Sequence, residues 1–175
     1  HTAQAHMSPN EVDWKRIFQK RGVRWFHTGG ILSALSDSCA DVAFEAMKAA
    51  HVAGTIVSYD LNFRSKLWSS TKAIEVTKKL VHYVDVLIGN EEDFQKVLGF
   101  EVEGTDENLK SLPIEGYKKM VQKVVKTYPH IQAVGTTLRE VVSGLVNNWS
   151  AILYAGGRFY ESRRYDGLEI EDRVG

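Results

Sequence analysis

Cysteine, an excess of either charge and long apolar runs are what this sequence lacks. One cysteine, Cys39, stands in 175 residues, which excludes an internal disulfide framework and a multi-cysteine metal site. Cys39 itself reads as a small buried residue near a helix start, with no base to make it a nucleophile. The 22 Lys and Arg balance the 22 Asp and Glu. The basic excess of a broad nucleic-acid surface is therefore missing, and no nucleic-acid partner is expected. Apolar runs are too short to span a bilayer, and no charged stretch precedes an apolar one as in a signal peptide. No membrane partner is expected, and a reduced, cytoplasmic setting is the default. A Walker-type glycine loop and G-x-G-x-x-G are both missing. His27, His51, His82 and His130 lack metal-ligand spacing and read as surface or packed residues.

What is present alternates between strand and helix. Arg24 to Gly30 reads as a short strand ending in a glycine turn. Ser36 to Ser38 offer helix caps, and Val42, Ala43, Ala46, Met47 and Ala50 follow at helical spacing until Gly54. The β-branched run Thr55–Asp60 predicts a second strand. A helix capped by Ser69-Ser70 follows, with Ile74, Thr77, Leu80 and Val81 on one face. Val84–Gly89 predicts a third strand, and a helix from Asn90 should end near Gly99. A looser acidic stretch runs from Glu101 to Pro113. Then Tyr117, Met120, Val121, Val124, Val125 and Tyr128 mark an amphipathic helix with a solvated lysine face. Ala133–Leu138 predicts a fourth strand. Beyond it Ser143–Val146, Ala151–Tyr154 and Arg158–Arg164 alternate like antiparallel strands, with turns at Asn147-Asn148 and Gly156-Gly157. The implied fold class is α/β: a mainly parallel Rossmann-like sheet covered by helices, with an antiparallel β-meander at one edge.

In such sheets ligands sit at the carboxyl ends of the strands, and there the polar features gather. Asp60, Asn62 and Arg64 follow the second strand at alternate positions. An arginine in such a place makes forked contacts to a carboxylate or phosphate, and Asn62 can donate to and accept from hydroxyls. A self-bonded turn with Arg64 in a surface ion pair is the competing reading. Asn90, Glu92 and Asp93 start the third helix, where acidic side chains suit the helix dipole or organise a divalent cation. At the end of the sequence, Gly167 to Gly175 reads as a short strand leading to a glycine, of little specificity alone.

In this order the pieces resemble the ribokinase/phosphofructokinase-B family of sugar kinases, and within it the kinases of 2-keto-3-deoxygluconate. The resemblance rests on Trp25 to Gly30, on Ser58 to Arg64 with Leu67-Trp68, on Gly89 to Phe94, on Thr136 to Arg139 and on Glu169 to Gly175, with Thr2 to Pro9 similar to the segment before the first central helix. It implies a ribokinase-like domain and transfer of the ATP γ-phosphoryl group to a sugar-acid hydroxyl with Mg²⁺. It implies that Arg64 receives the substrate carboxylate, with Asp60 and Asn62 beside it. Asn90 matches the asparagine of an N-x-x-E motif that organises Mg²⁺ and phosphate. The fourth position is Asp93, one methylene shorter than glutamate, so Glu92 is expected to share the metal-side role. Thr136, Thr137 and Arg139 match a loop bordering the nucleotide, although Thr-Leu-Arg replaces its usual glycine-rich form. Asp172 matches the first residue of D-x-x-G-A-G-D, near which a monovalent cation such as K⁺ is expected, and Gly175 borders the phosphate.

Against that pattern the family's first strands, its lid and its C-terminal helices are lacking, as are the residues after Gly175 that carry the anion hole and the aspartate base. Residues 1–175 therefore read as the central part of a single domain. The polypeptide alone is expected to be inactive and to expose apolar sheet surface. A homodimer of the full-length enzyme is compatible with the resemblance.

Overall fold

The computed structural model describes residues 2–101 and 114–171. Four strands, β1 (Trp25–Gly29), β2 (Ile56–Asp60), β3 (Val86–Gly89) and β4 (Ala133–Val141), lie side by side in parallel. β5 (Val146–Ala155) continues the sheet antiparallel to β4, and both β6 (Arg158–Glu161) and β7 (Tyr165–Glu169) pair with β5. The sheet order is β1-β2-β3-β4-β5-β6. A parallel core with an antiparallel edge is thus the fold class the sequence implies.

Between the strands run α1 (Gly30–Ala34), α2 (Asp37–Val52), α3 (Ser70–Leu80), α4 (Glu91–Asp93) and α5 (Ile114–Thr127). Ser36 and Ser69 cap α2 and α3, accepting from the N–H groups of Cys39 and Lys72. Asp93 leads without a break into a π-helical turn, Phe94–Leu98, which Gly99 stops with φ of 77°. Cys39 is buried and its thiol donates to the Gln4 carbonyl, a packing role. No helix among the described residues is long and apolar enough to cross a membrane.

The period-two alternation of each strand divides the sheet into two unlike faces. Val57, Tyr59, Leu87 and Val134 point to one face and are fully buried with Met47, Leu80, Phe94, Tyr117 and Met120. Burial pushes the Tyr59 phenol up to about 12. The opposite face carries Trp25, Ile56, Leu153 and Tyr160, all exposed. Among the described residues, helices cover one side only. A groove of about 450 Å³ runs along the open side, over Ile88, Gly135 and Leu153.

Three expectations are corrected. Asn147-Asn148 is no turn: both residues lie inside β5, opposite Val141 and Glu140, and the chain reverses over residues 142–145 instead. Cross-strand bonds satisfy the asparagine, since Asn148 Nδ2 donates to Glu140 Oε2 at 3.1 Å while its Oδ1 accepts from Gly167 N–H at 2.8 Å. Ser143–Val146, read as strand, contains that reversal. Thr136 to Arg139 form no loop either, because β4 runs on past the end of β3 and pairs with β5 through Val141. The expected turn at Gly156-Gly157 is present, with φ of 57° and 77°. The acidic stretch lies largely outside the described residues.

Candidate functional site

Asp60 ends β2 between Gly29 of β1 and Ile88 of β3. Leu61 N–H donates to the Ile88 carbonyl at 2.8 Å, which carries the chain one residue further along the sheet before it turns away. The turn is made at Asn62, a non-glycine residue with φ of 36°, a conformation that side chains disfavour and that clusters at functional sites. Asn62 Nδ2 faces Asp60 Oδ2 at 3.4 Å. Arg64 is exposed, and its Nη1 donates to the Phe63 carbonyl at 2.9 Å. The self-bonded turn of the competing reading is thus present, but among the described residues no carboxylate pairs with Arg64, so its surface ion pair is not formed.

The next strand supplies the second half of the site. Asn90 follows β3 directly and caps α4: its Oδ1 accepts from Asp93 N–H at 2.9 Å, while Asp93 Oδ2 accepts from Asn90 N–H at 3.0 Å. This reciprocal pairing is a capping box. The other oxygen, Asp93 Oδ1, accepts from Phe63 N–H at 2.7 Å. Asp93 is 5% exposed, whereas Glu92 faces solvent. Backbone N–H groups thus occupy both Asp93 oxygens, while the Glu92 side chain is open to solvent. No three His, Cys, Asp or Glu side chains among the described residues converge as a metal cage.

The carboxyl of Asp60 lies above its ordinary range. Burial is the first cause and the nearby Asp93 charge the second; His27, the Asn62 backbone and Arg64 pull the other way. The structure thus gathers Asp60, Asn62, Arg64, Asn90 and Asp93 at the carboxyl ends of β2 and β3. It separates the residues of β4. Thr136 is 1% exposed on the covered face, while Thr137 and Arg139 are exposed on the open one. Asp172 and Gly175 lie outside the described residues.

Sequence reasoning missed one cluster. On the open face beside Asp60, Ser58 Oγ accepts from Trp25 Nε1 at 2.8 Å and lies 2.8 Å from His27 Nδ1. The signal was there in the alternation of Trp25-x-His27 and Ser58-x-Asp60, which sets all four side chains on one face of two paired strands.

A family model described as pfkB family carbohydrate kinase matches residues 2–133. The 2-dehydro-3-deoxygalactonokinase of Haloferax volcanii is 41% identical over 86 residues, 49% of this chain and 26% of that protein. Probable fructokinase-5 of Arabidopsis thaliana is 43% identical over 63 residues, 35% of this chain and 19% of that protein. The solved structure of 2-dehydro-3-deoxygluconokinase from Thermotoga maritima superposes on the whole chain with a TM-score of 0.87 and 39% identity. The chain spans 50% of that structure's length.

Proposed function

Because the chain belongs to the pfkB family of carbohydrate kinases, we propose that it forms the central part of an enzyme that phosphorylates a 2-keto-3-deoxy sugar acid, such as 2-keto-3-deoxygluconate, with ATP. The observation that carries this reading is Arg64. It is an exposed guanidinium without a carboxylate partner among the described residues, at the end of an arm beside Asp60 and Asn62. A sugar acid presents the planar anion that a guanidinium grips in a fork, while a neutral sugar offers it only hydroxyl acceptors.

In this reading Arg64 fixes the acid end of the substrate, and Asp60 and Asn62 take its hydroxyls. Asn90 stands at the phosphate end, with Thr137 and Arg139 towards the nucleotide. Thr136 contributes through the backbone of β4, because its side chain points the other way. The acceptor oxygen forms a bond to the γ-phosphorus as the β–γ bridging bond breaks. ADP leaves and the hydroxyl proton passes to a base that we assign to none of these residues. Holding the two reactants in line supplies much of the catalysis in such transfers. Mg²⁺ would be held from the Glu92 side, where it would neutralise phosphate charge. A K⁺ ion near Asp172, a phosphate contact at Gly175, a cytoplasmic location and a homodimer of the longer protein complete the proposal.

The test compares kcat/KM of the full-length protein for 2-keto-3-deoxygluconate, its galactonate epimer and fructose. The sugar acids should lead fructose by about tenfold or more, as expected for a desolvated charge contact. Preference for fructose would overturn the assignment and favour the reading suggested by the similar fructokinases.

A further inference from the structure

Asp93 touches two different loops, and both of them lead into the site. Its Oδ1 accepts from Phe63 N–H at 2.7 Å and its Oδ2 from Asn90 N–H at 3.0 Å. Phe63 lies between Asn62 and Arg64, and Asn90 begins the phosphate side. We propose that Asp93 is a positioning residue: a buried carboxylate that clasps the Asn62–Arg64 arm to the Asn90 cap, fixing the distance between the acid-binding and phosphate-binding ends, and that it does not ligate the metal. The inference rests on the sugar-acid kinase reading for what each end binds, and on geometry alone for the clasp.

Three observations support it. The arm gains from an external tether, because Asn62 holds a positive φ of 36°, which costs a non-glycine residue free energy that surrounding contacts must offset. A carboxylate suits the task, since an ionised acceptor takes two N–H donors more strongly than a neutral one. The fit is tight: a Cβ on Gly89 would stand 3.2 Å from the Asp93 Cβ and 3.0 Å from Leu61 Cδ1.

The experiment has two arms. In the 175-residue chain, hydrogen exchange of the Phe63 and Asn90 amides is followed by NMR for the parent and for Asp93→Asn, whose amide accepts only one of the two N–H groups. At least one of those amides should exchange about tenfold or more faster in the variant, with Val57 in β2 unchanged. In the full-length protein, D93N should lower kcat/KM for the sugar acid about tenfold, with the Mg²⁺ half-saturation within about threefold. A tenfold or larger rise in Mg²⁺ half-saturation with both amides unchanged, about the response of a lost ligand, overturns the proposal. So does a Phe63 amide that exchanges at the unprotected rate in the parent chain, a reading that needs no variant to fold. If the full-length protein phosphorylates no sugar acid, the substrate assignment falls while the amide arm still decides the clasp.

Discussion

Gly30 lies so close to Leu61 that a methyl group added to it would overlap the Leu61 carbonyl oxygen. Its neighbour repeats the approach, because a Cβ on Gly29 would stand 2.8 Å from the Asp60 carbonyl oxygen. The glycine pair at the end of β1 is thus the seat on which the Asp60–Arg64 arm rests, and Asp93 grips the same arm from the other side.

Gly30→Ala should therefore damage the site as well as the fold. The obstructing atom is backbone and cannot rotate away, so the arm itself must shift. Overpacking of this kind costs about 1–3 kcal/mol. Urea denaturation of the chain should show that loss, and the full-length G30A enzyme should bind its sugar more weakly. Unchanged stability would mean the arm moves freely, contrary to the packing seen here.

Arg64→Ala separates the two substrate classes. Loss of a charged, forked contact costs roughly 1.5–3 kcal/mol, or about tenfold to a hundredfold in KM for the sugar acid. Phosphorylation of fructose, which has no carboxylate, should stay nearly unchanged. Arg64→Lys should fall between, because an ammonium keeps the charge and loses the fork. Steady-state kinetics on both sugars check this, and equal losses on both would remove Arg64 from acid recognition.

Much of this arrangement was legible in the residues. The parallel strands follow from β-branched runs broken by capped amphipathic segments, and the carboxyl-end rule alone brings Asp60, Asn62, Arg64 and Asn90 together. What escaped depends on partners that no local pattern encodes. Asn147-Asn148 has the composition of a turn, but Glu140 and Gly167, brought alongside by pairing, satisfy Asn148 within a strand. Thr136 and Thr137 are neighbours in sequence and opposites in space, because β4 continues where a loop was expected. The bond from Phe63 to Asp93 escaped as well, since its donor is a backbone N–H and leaves no mark on residue type.

Asp60 should make stability depend on pH. Its folded carboxyl holds a proton more tightly than the ordinary value of 3.8, through burial first and the Asp93 charge second. The stability this contributes is fully present below that value and is lost as pH rises through the raised folded value. Asp60→Asn stays neutral and escapes the loss. Melting temperatures of parent and variant should nearly coincide at about pH 3.5 and separate in favour of the variant towards about pH 7. The half-buried position keeps the separation modest, because solvent screens part of the interaction. A difference that does not vary with pH would show that the carboxyl is not raised.

The open sheet face should make the chain associate with itself. Ile56, Leu153 and Tyr160 are 36%, 42% and 54% exposed, and Leu153 and Tyr160 are directly paired across β5 and β6. Exposed apolar surface of this extent is driven out of water by contact with a like surface. Threonine at all three positions keeps the strand preference while shrinking the apolar area. The side chains lie opposite the buried Val57 and Tyr59 face, so the core is untouched and the triple variant should remain folded by circular dichroism. Sedimentation velocity over a concentration series should show the parent chain shifting to larger species and the variant staying monomeric. Identical sedimentation of the two would mean that the polar row of His27, Ser58 and Asp60 on the same face already breaks the apolar surface into pieces too small to drive association.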